Sequence, residues 1–389
     1  MKKICVATGT RAEYGLLKPL IVRFINNQDI KLNLLVTGTH LCPEFGMTYN
    51  EIVNDEIPID DKVEVLLSSN TNVGVAKSIG LAIISFAEYF SQKKPGLLVV
   101  LGDRFEMFAC ASAAALLQIP IAHLYGGELT EGAIDEFIRH SITKMSSLHF
   151  VSCEAYRKRV IQLGEQPDSV FNVGGLGVEN IISAPLISHD KLSKDLDFDF
   201  EIGKYCVVTF HPVTLENTTA EKQLFELMAA MDKFQKMKYL ITKSNADADG
   251  RKINLLWEKY IAERENCLLV TSLGMVRYLS ALKNCVAMIG NSSSGLHEGP
   301  VIGVPTVDIG DRQRGRFRAE SVIHCEPNNS DIKKAMERAF SSEFREFCMT
   351  VKNPYGDGNT SEKIMKIIEN RLKCGISVKK KFYDIDYVI

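Results

Sequence analysis

Short apolar runs that end in Gly, Ser, Thr or Asp recur along this chain, and they constrain its fold more than any other feature. In the first half the runs are ICVATG, LNLLVTG, GLLVVLGD, IPIAHLYGG and LHFVSC. Helical patterns such as LLKPLIVRFINN and RFEMFACASAAALLQ lie between them. Apolar strands that alternate with helices are typical of a parallel sheet with helices on both faces. The sequence therefore predicts an α/β fold.

The same alternation resumes after a polar segment in the middle of the chain. Residues 181–204 are rich in Asp and Lys, and they precede the runs YCVVTFHP, KYLITKSNAD, CLLVTS, CVAMIGNSS and VPTVDIG. We interpret the polar segment as the crossing between two domains, each with its own sheet. The predicted domains are residues 1–180 and residues 181–361. Residues 362–389 form a C-terminal helix and tail, with Gly375 as C-cap, that can cross back to the first domain.

Composition argues against several classes of protein. A net charge of -2 over 389 residues gives no electrostatic basis for binding nucleic acid or an anionic membrane. No uninterrupted apolar run reaches about 18 residues, so no membrane span is predicted, and the first apolar run is too short for a secretory signal. None of the ten cysteines lies within five residues of another, which excludes CxxC spacing. Free thiols in apolar runs indicate a reducing cytoplasm.

The residues that follow the predicted strands are unusually polar. Ligands of parallel sheets bind beyond the carboxyl ends of the strands, so these residues are the candidates for function. Two such edges that face each other would form a cleft between the domains. The candidates are Arg11, His40, Asp103, Arg104, Glu128, Glu131 and Asp135 in the first half, and His211, Asn245, Ser292, Ser293, Glu298 and Arg312 in the second.

The stretch GNSSSG predicts an anion site. A strand that ends in small residues before a helix presents unpaired backbone N–H groups, and the helix dipole adds to their attraction for a phosphate. Glu298, four residues after Ser294, suits a ribose diol, which can donate two hydrogen bonds to a carboxylate. Arg312 follows the strand VPTVDIG. The alternatives are a serine-rich N-cap and a solvated basic loop.

Carboxylates gather in the first half of the chain. Asp103, Glu128, Glu131 and Asp135 would share one strand-end surface, where crowding raises pKa values and lets one site hold both an acid and a base. Asp135 also precedes Arg139 by four residues, which is an ordinary helical ion-pair spacing. A structural role is therefore the alternative for this carboxylate.

The second half offers two further candidates for chemistry. His211 closes the run VVTF, where it suits either an acid–base role or a structural one. Asp247 and Asp249 in SNADADG could hold a divalent cation, but a turn that ends in glycine is the simpler interpretation. Zinc spacing, a P-loop and GxGxxG are absent from the sequence.

Taken together, these motifs resemble one family. GTRAEYG, VLGDRFE, HLYGGELTEGAIDEFIRHSITKM, VIQLGE, TFHPVT, IGNSSSG and GDRQRGR are similar to segments of the hydrolysing UDP-N-acetylglucosamine 2-epimerases of bacterial sialic and legionaminic acid synthesis. The resemblance covers nearly the whole chain. It implies the GT-B architecture, in which two Rossmann-like domains face each other across an active-site cleft. It also implies action on a UDP-sugar without metal or nicotinamide, and we expect a homodimer or homotetramer.

The resemblance further implies a mechanism and a role for each candidate. UDP leaves C1 while a base removes the C2 proton, and water then adds to the 2-acetamidoglycal to give N-acetylmannosamine. The corresponding residues are Arg11, Ser292, Ser293 and Arg312 for the diphosphate, Glu298 for the ribose, Asn245 near the nucleotide, Asp103, Asp135 and His211 for acid–base chemistry, and His40 and Arg104 along the cleft.

One position departs from the family pattern. Some members have a catalytic glutamate two residues after the histidine of HLYGGE, where this chain has Tyr125, and here one additional residue precedes Asp135. Glu128, Glu131 and Tyr125 are therefore alternatives for that role. The alternative functions are the same reaction on UDP-N,N'-diacetylbacillosamine, a GT-B glycosyltransferase, a non-hydrolysing epimerase and a regulator that binds a UDP-sugar.

Overall fold

The computed structural model describes residues 1–67, 71–130, 134–212, 219–244 and 248–386. The chain forms two compact units, one made of Met1–Asn180 with Pro354–Ile389 and the other of Ile181–Asn353. Each unit contains one parallel sheet with helices, as the alternating pattern predicts.

The first unit is built on a seven-stranded parallel sheet. Its strands are β1 (Lys2–Thr8), β2 (Ile30–Thr37), β3 (Asp61–Val63), β4 (Leu97–Leu101), β5 (Ile121–Leu124), β6 (Leu148–Val151) and β7 (Val170–Asn172). Its helices are α1 (Arg11–Ile25), α2 (Tyr49–Asn54), α3 (Asn72–Lys93), α4 (Phe105–Leu116), α5 (Ile134–Met145), α6 (Glu154–Gln162) and α7 (Leu176–Ser183), which runs into the second unit. The strand order is β3-β2-β1-β4-β5-β6-β7. The order reverses between β1 and β4, and ligands of such sheets bind at this switch point.

Side chains of β1 show why helices cover both faces of this sheet. Ile4 and Val6 pack with Leu17 of α1 in one core layer. Cys5 and Ala7 point the other way and pack in a second layer with α3 and α4. Successive residues of a strand alternate between the two faces, so a continuous apolar run requires a layer on each side.

The second unit repeats this plan with six parallel strands. They are β8 (Tyr205–Thr209), β9 (Lys238–Thr242), β10 (Cys267–Val270), β11 (Ala287–Gly290), β12 (Thr306–Ile309) and β13 (Val322–Cys325). The helices are α8 (His189–Leu196), α9 (Thr219–Met231), α10 (Ala248–Ile261), α11 (Gly274–Asn284), α12 (Ser294–Ile302), α13 (Asn329–Phe340) and α14 (Ser342–Thr350). The strand order β10-β9-β8-β11-β12-β13 places the switch point between β8 and β11.

Glycines allow the turn after β11 to pack closely. Gly290 has a φ of 137°, and a Cβ at this position would lie 1.9 Å from the carbonyl oxygen of Thr209. A Cβ at Gly295 or at Gly299 of α12 would lie 2.6 Å from side-chain atoms of Thr306. Only glycine therefore fits at these positions, and the start of α12 lies directly at the end of the sheet.

The C-terminal segment packs in the first unit. Ile368 of α15 (Thr360–Cys374) is buried in the same core layer as α1. Residues 354–361 were predicted to lie in the second domain, but the structure places them in the first unit. The N–H of Gly175, after β7, donates to the carbonyl oxygen of Tyr355 at 2.7 Å. This contact joins residues far apart in the chain, which is why no local sequence pattern indicates it.

Among the described helices, α3 alone is long and apolar enough to cross a membrane by length and composition. Its residues Ala82, Phe86 and Phe90 are buried in the core layer that contains Cys5 of β1. In all, 33% of the apolar window of α3 is buried inside the structure.

Candidate functional site

One glutamate closes the turn between β1 and α1. The N–H groups of Gly9 and Thr10 donate to Glu13 Oε2 at 2.7 and 3.1 Å, and the N–H of Glu13 donates to Thr10 Oγ1 at 3.2 Å. This arrangement is a capping box. Glu13 is buried, and burial raises its pKa to about 7. The Glu13 carboxyl group therefore accepts hydrogen bonds from backbone N–H groups that could otherwise bind an anion at the start of α1.

Arg104, at the end of the neighbouring strand β4, lies among carboxyl groups. Its Nε and Nη2 atoms donate to the two oxygens of the fully buried Glu106, each at 3.2 Å. Burial opposes the charge of Arg104, but Glu106, together with Glu13 and Asp135, raises the pKa of the guanidinium above its ordinary value. The fold thus brings Arg104 and Asp135 near Glu13 and Glu106, which were not among the predicted site residues. The Thr-x-x-Glu pattern that begins at Thr10 is typical of a capping box, and it could have indicated the position of Glu13.

Asp103 is held by Arg139 of α5. The Arg139 side chain, only 5% exposed, donates to the Asp103 carboxylate. It also donates to the carbonyl oxygen of Glu128 and to Thr130 Oγ1, both at 2.8 Å. The Asp103 side chain remains 25% exposed. Arg139 therefore links the end of β4 to the loop after β5, and the Asp103 carboxylate stays partly accessible there.

His123 of β5 supports the turn that precedes Asp103. Its Nε2 atom donates to the carbonyl oxygen of Gly102 at 2.8 Å, and its Nδ1 atom accepts from Thr143 Oγ1 at 3.1 Å. Burial lowers the pKa of His123 to about 3, so its imidazole is neutral at pH 7. We assign it a structural role.

Tyr125 supports the start of α7. Its φ is 66°, and its hydroxyl accepts the N–H of Gly177 at 3.2 Å. Burial, and then the charge of Glu128, raise the pKa of Tyr125 above its ordinary value. The carboxylate of Glu128 accepts from Ser152 Oγ at 2.9 Å. We therefore propose Glu128, rather than Tyr125, as an acid–base group of this loop.

Two other predicted ligands of the first unit have partners within it. Arg11 Nε pairs with Glu51 Oε1 at 2.7 Å, and the arginine side chain is 72% exposed. His40 is fully buried, with Nε2 3.1 Å from Thr8 Oγ1 and Nδ1 2.9 Å from Thr48 Oγ1. Burial lowers the pKa of His40 to about 4. Arg11 can exchange its exposed partner for a phosphate, whereas for His40 we propose a structural role.

In the second unit, the Asn291 side chain forms hydrogen bonds with both backbone polar groups of His211. The N–H of His211 donates to Asn291 Oδ1 at 2.7 Å, and Asn291 Nδ2 donates to the carbonyl oxygen of His211 at 2.8 Å. The His211 Nδ1 atom lies 2.9 Å from Ser244 Oγ. His211 is therefore fixed through both its backbone and its ring, after β8 and beside the turn that follows β11.

The same turn brings Arg312 to the predicted anion site. The carbonyl oxygen of Asn291 accepts from Arg312 Nη1 at 3.0 Å and from Gln313 Nε2 at 2.8 Å. Ser292 and Ser293 follow Asn291 directly, and α12 begins at the next residue. A guanidinium, two hydroxyls and a helix start therefore lie at one strand end, a combination suited to phosphate oxygens.

Glu298 lies within α12, after this turn. Burial raises the pKa of Glu298 above its ordinary value. Glu298 is half-buried, and a ribose diol can donate two hydrogen bonds to such a carboxylate. Glu131, Asn245 and Asp247 lie outside the described residues. Among the residues described, no group of three or more His, Cys, Asp or Glu is arranged to hold a metal ion.

Comparison with known proteins identifies the family to which this chain belongs. The model of the UDP-N-acetylglucosamine 2-epimerase family matches residues 23–369. The chain is 40% identical over 385 residues to the GDP/UDP-N,N'-diacetylbacillosamine 2-epimerase (hydrolyzing) of Campylobacter jejuni, with 99% of each chain covered. It is 38% identical over 386 residues to the polysialic acid biosynthesis protein P7 of Escherichia coli, covering 99% of this chain and 98% of that one.

A solved structure confirms the predicted fold. The UDP-GlcNAc 2-epimerase of Neisseria meningitidis, bound to UDP-GlcNAc, superposes with a TM-score of 0.77 at 18% identity. The match covers 95% of this chain and 100% of that one. The two parallel-sheet units are therefore those of a GT-B-like α/β protein.

Proposed function

We propose that this chain, which belongs to the hydrolysing UDP-N-acetylglucosamine 2-epimerase family, converts UDP-N-acetylglucosamine into UDP and N-acetylmannosamine. The product would feed sialic-acid-type sugar synthesis in the cytoplasm, and the active form would be a homodimer or homotetramer. The observation that carries the proposal is the pair of strand-end sites. One holds the accessible carboxylate of Asp103, and the other holds Arg312 beside the serine turn.

The proposed reaction begins with an elimination. The C1–O bond to UDP breaks, the C2–H bond breaks, and a C1=C2 double bond forms. Arg312 and the turn of Ser292 and Ser293 would stabilise the negative charge that develops on the departing diphosphate. Asp103 is our first choice as an acid–base group, because it closes a central strand and remains partly exposed. Asp135, Glu128, Glu131 and His211 are the other proposed groups.

Rehydration completes the reaction. Water supplies a hydroxyl to C1 and a proton returns to C2 on the opposite face, which inverts C2 and leaves a free sugar. The product therefore carries a solvent proton at C2, which hydrolysis at C1 alone would not introduce.

The second candidate substrate is UDP-N,N'-diacetylbacillosamine. The Campylobacter relative at 40% identity is named for this sugar. The two substrates differ at C4 and C6, so the lining of the sugar pocket would select between them. Comparison of kcat/KM for the two purified UDP-sugars decides which is preferred.

Incubation with UDP-N-acetylglucosamine alone tests the reaction class. We expect free UDP and N-acetylmannosamine without an added acceptor. Formation of UDP-N-acetylmannosamine would instead indicate a non-hydrolysing epimerase, and turnover only with an acceptor would indicate a glycosyltransferase.

A D2O experiment tests the elimination. In D2O the sugar product should carry deuterium at C2 by NMR or mass spectrometry. N-acetylmannosamine kept in the same buffer without protein is the control for spontaneous exchange. Hydrogen at C2 of the enzymatic product would rule the mechanism out.

A further inference from the structure

We infer that Ser244 and Asn291 are positioning residues for His211, and that Asn291 sets the spacing between His211 and Arg312. The role of His211 in catalysis rests on the proposed function. The contacts that Ser244 and Asn291 make with His211 are independent of that function.

Ser244 determines where the ring proton of His211 lies. Ser244 Oγ is 2.9 Å from His211 Nδ1 and 3.0 Å from the carbonyl oxygen of Phe210. A hydroxyl has one proton to donate, and a carbonyl oxygen can only accept. Ser244 therefore donates to Phe210 and accepts from the Nδ1–H of His211. In this neutral tautomer the basic lone pair is on Nε2.

Two asparagine side chains bracket the backbone of this pair. Asn291 bonds both the N–H and the carbonyl oxygen of His211. Asn254 of α10 does the same for Ser244, whose N–H donates to Oδ1 at 2.8 Å and whose carbonyl oxygen accepts from Nδ2 at 3.2 Å. Movement of His211 would break bonds at Asn291 and Ser244 together. The ring is therefore held in one place before any substrate arrives, as acid–base catalysis requires.

Asn291 also joins His211 to the loop of Arg312. Asn291 is fully buried, and its own N–H donates to the carbonyl oxygen of Thr209 at 3.2 Å. Its side chain holds His211, while its carbonyl oxygen accepts from Arg312. One residue thus fixes a candidate base relative to a candidate diphosphate ligand. Loss of its side-chain bonds should affect turnover and UDP affinity together, whereas loss of the Ser244 hydroxyl should affect turnover alone.

NMR of the ring nitrogens tests the tautomer without any activity measurement. In protein labelled with 15N-histidine, long-range ring correlations distinguish Nδ1–H from Nε2–H. The spectrum of His211→Gln identifies the signals of His211. We expect the Nδ1–H tautomer in the wild-type protein and a mixture of tautomers in Ser244→Ala.

Kinetics then test whether the positioning matters. Ser244→Ala should lower kcat about tenfold or more, with KM changed less than about twofold. Ser244→Thr, which retains a hydroxyl, should recover most of the lost rate. Ser280→Ala is the matched control and should retain wild-type kinetics. Ser280 is also buried and bonded to backbone, with Oγ 2.7 Å from the Val276 carbonyl oxygen and 3.0 Å from the Ile187 nitrogen.

An Nε2–H tautomer of His211 in the wild-type protein would overturn the inference. Equal kcat values for Ser244→Ala and Ser280→Ala would overturn it as well. Failure of the proposed function has a different signature, because the wild-type protein would then release UDP from neither UDP-sugar. The wild-type NMR spectrum decides the tautomer even if Ser244→Ala does not fold.

Discussion

Replacement of Glu13 by glutamine tests the carboxylate cluster of the first unit. Glu13 is 5% exposed, its Oε2 accepts two backbone N–H groups, and its Oε1 has no hydrogen-bond partner among the described residues. Glutamine keeps an oxygen for those two N–H groups and replaces the other oxygen with an uncharged NH2. Glu13→Gln therefore removes the titratable proton with little change in shape.

The expected magnitude follows from the pKa. Burial, with a further contribution from Glu106, raises the pKa of Glu13 from 4.5 to about 7, against the lowering effect of the Gly9 and Thr10 N–H groups. The folded state thus holds the proton more tightly than the unfolded state. This contribution to stability is complete below pH 4.5 and is lost as the pH rises through 7. At about 1.36 kcal/mol per pKa unit, the loss is about 3 kcal/mol.

Glu13→Gln should therefore be more stable than the wild type at pH 8, by up to about 3 kcal/mol, and differ little from it at pH 5. Guanidinium unfolding followed by circular dichroism measures this at each pH. Hydrogen exchange in peptides of β1 and α1 is the local probe, since the one tryptophan, Trp257, lies in the second unit. Glu88→Gln, at an exposed glutamate of α3, is the matched control. Equal destabilisation by Glu13→Gln at pH 5 and pH 8 would refute the reasoning.

Three further predictions concern the site. Arg11→Ala and Arg312→Ala should each raise the Kd for UDP about tenfold or more, because charge-assisted hydrogen bonds contribute about 1.5–3 kcal/mol each. An unchanged Kd, measured by calorimetry, would show that the replaced arginine does not bind the diphosphate. Asp103→Asn should lower kcat by about 10²–10⁴-fold with UDP affinity nearly unchanged, and full activity would move the chemistry to the other carboxylates, with Glu128 as the first alternative. Activity should survive exhaustive EDTA treatment, and a loss that Mg²⁺ restores would favour a metal at Asp247 and Asp249.

The buried strands were predictable from sequence, but two edge strands were not. β1, β2, β4, β5 and β6 lie within their sheet and form apolar runs that the sequence shows clearly. β3 and β13 lie at sheet edges, and most of their residues are partly exposed. An edge strand need not be apolar on both faces, so the segments DKV and VIHC carry little of the pattern that identifies a buried strand.

Positions at the site were predictable, but their partners were not. Parallel topology places Asp103 and His211 at strand ends, and the apolar runs before them were enough to indicate this. The groups that hold them come from distant segments: Arg139 is 36 residues from Asp103, and Asn291 is 80 residues from His211. No periodicity or turn signal specifies such pairs, because they depend on how strands and helices are ordered in each sheet.

The two switch points are alike in topology and opposite in chemistry. In the first unit, the amides of Gly9 and Thr10 at the start of α1 already bond the carboxyl group of Glu13. A diphosphate placed there would have to displace this group and would lie among the neighbouring carboxylates. In the second unit, Arg312 lies beside the turn of Ser292 and Ser293, where an anion meets a positive charge. The charge of a phosphate near the carboxyl groups of the first unit would raise their pKa values and favour the protonated forms, which cannot act as bases.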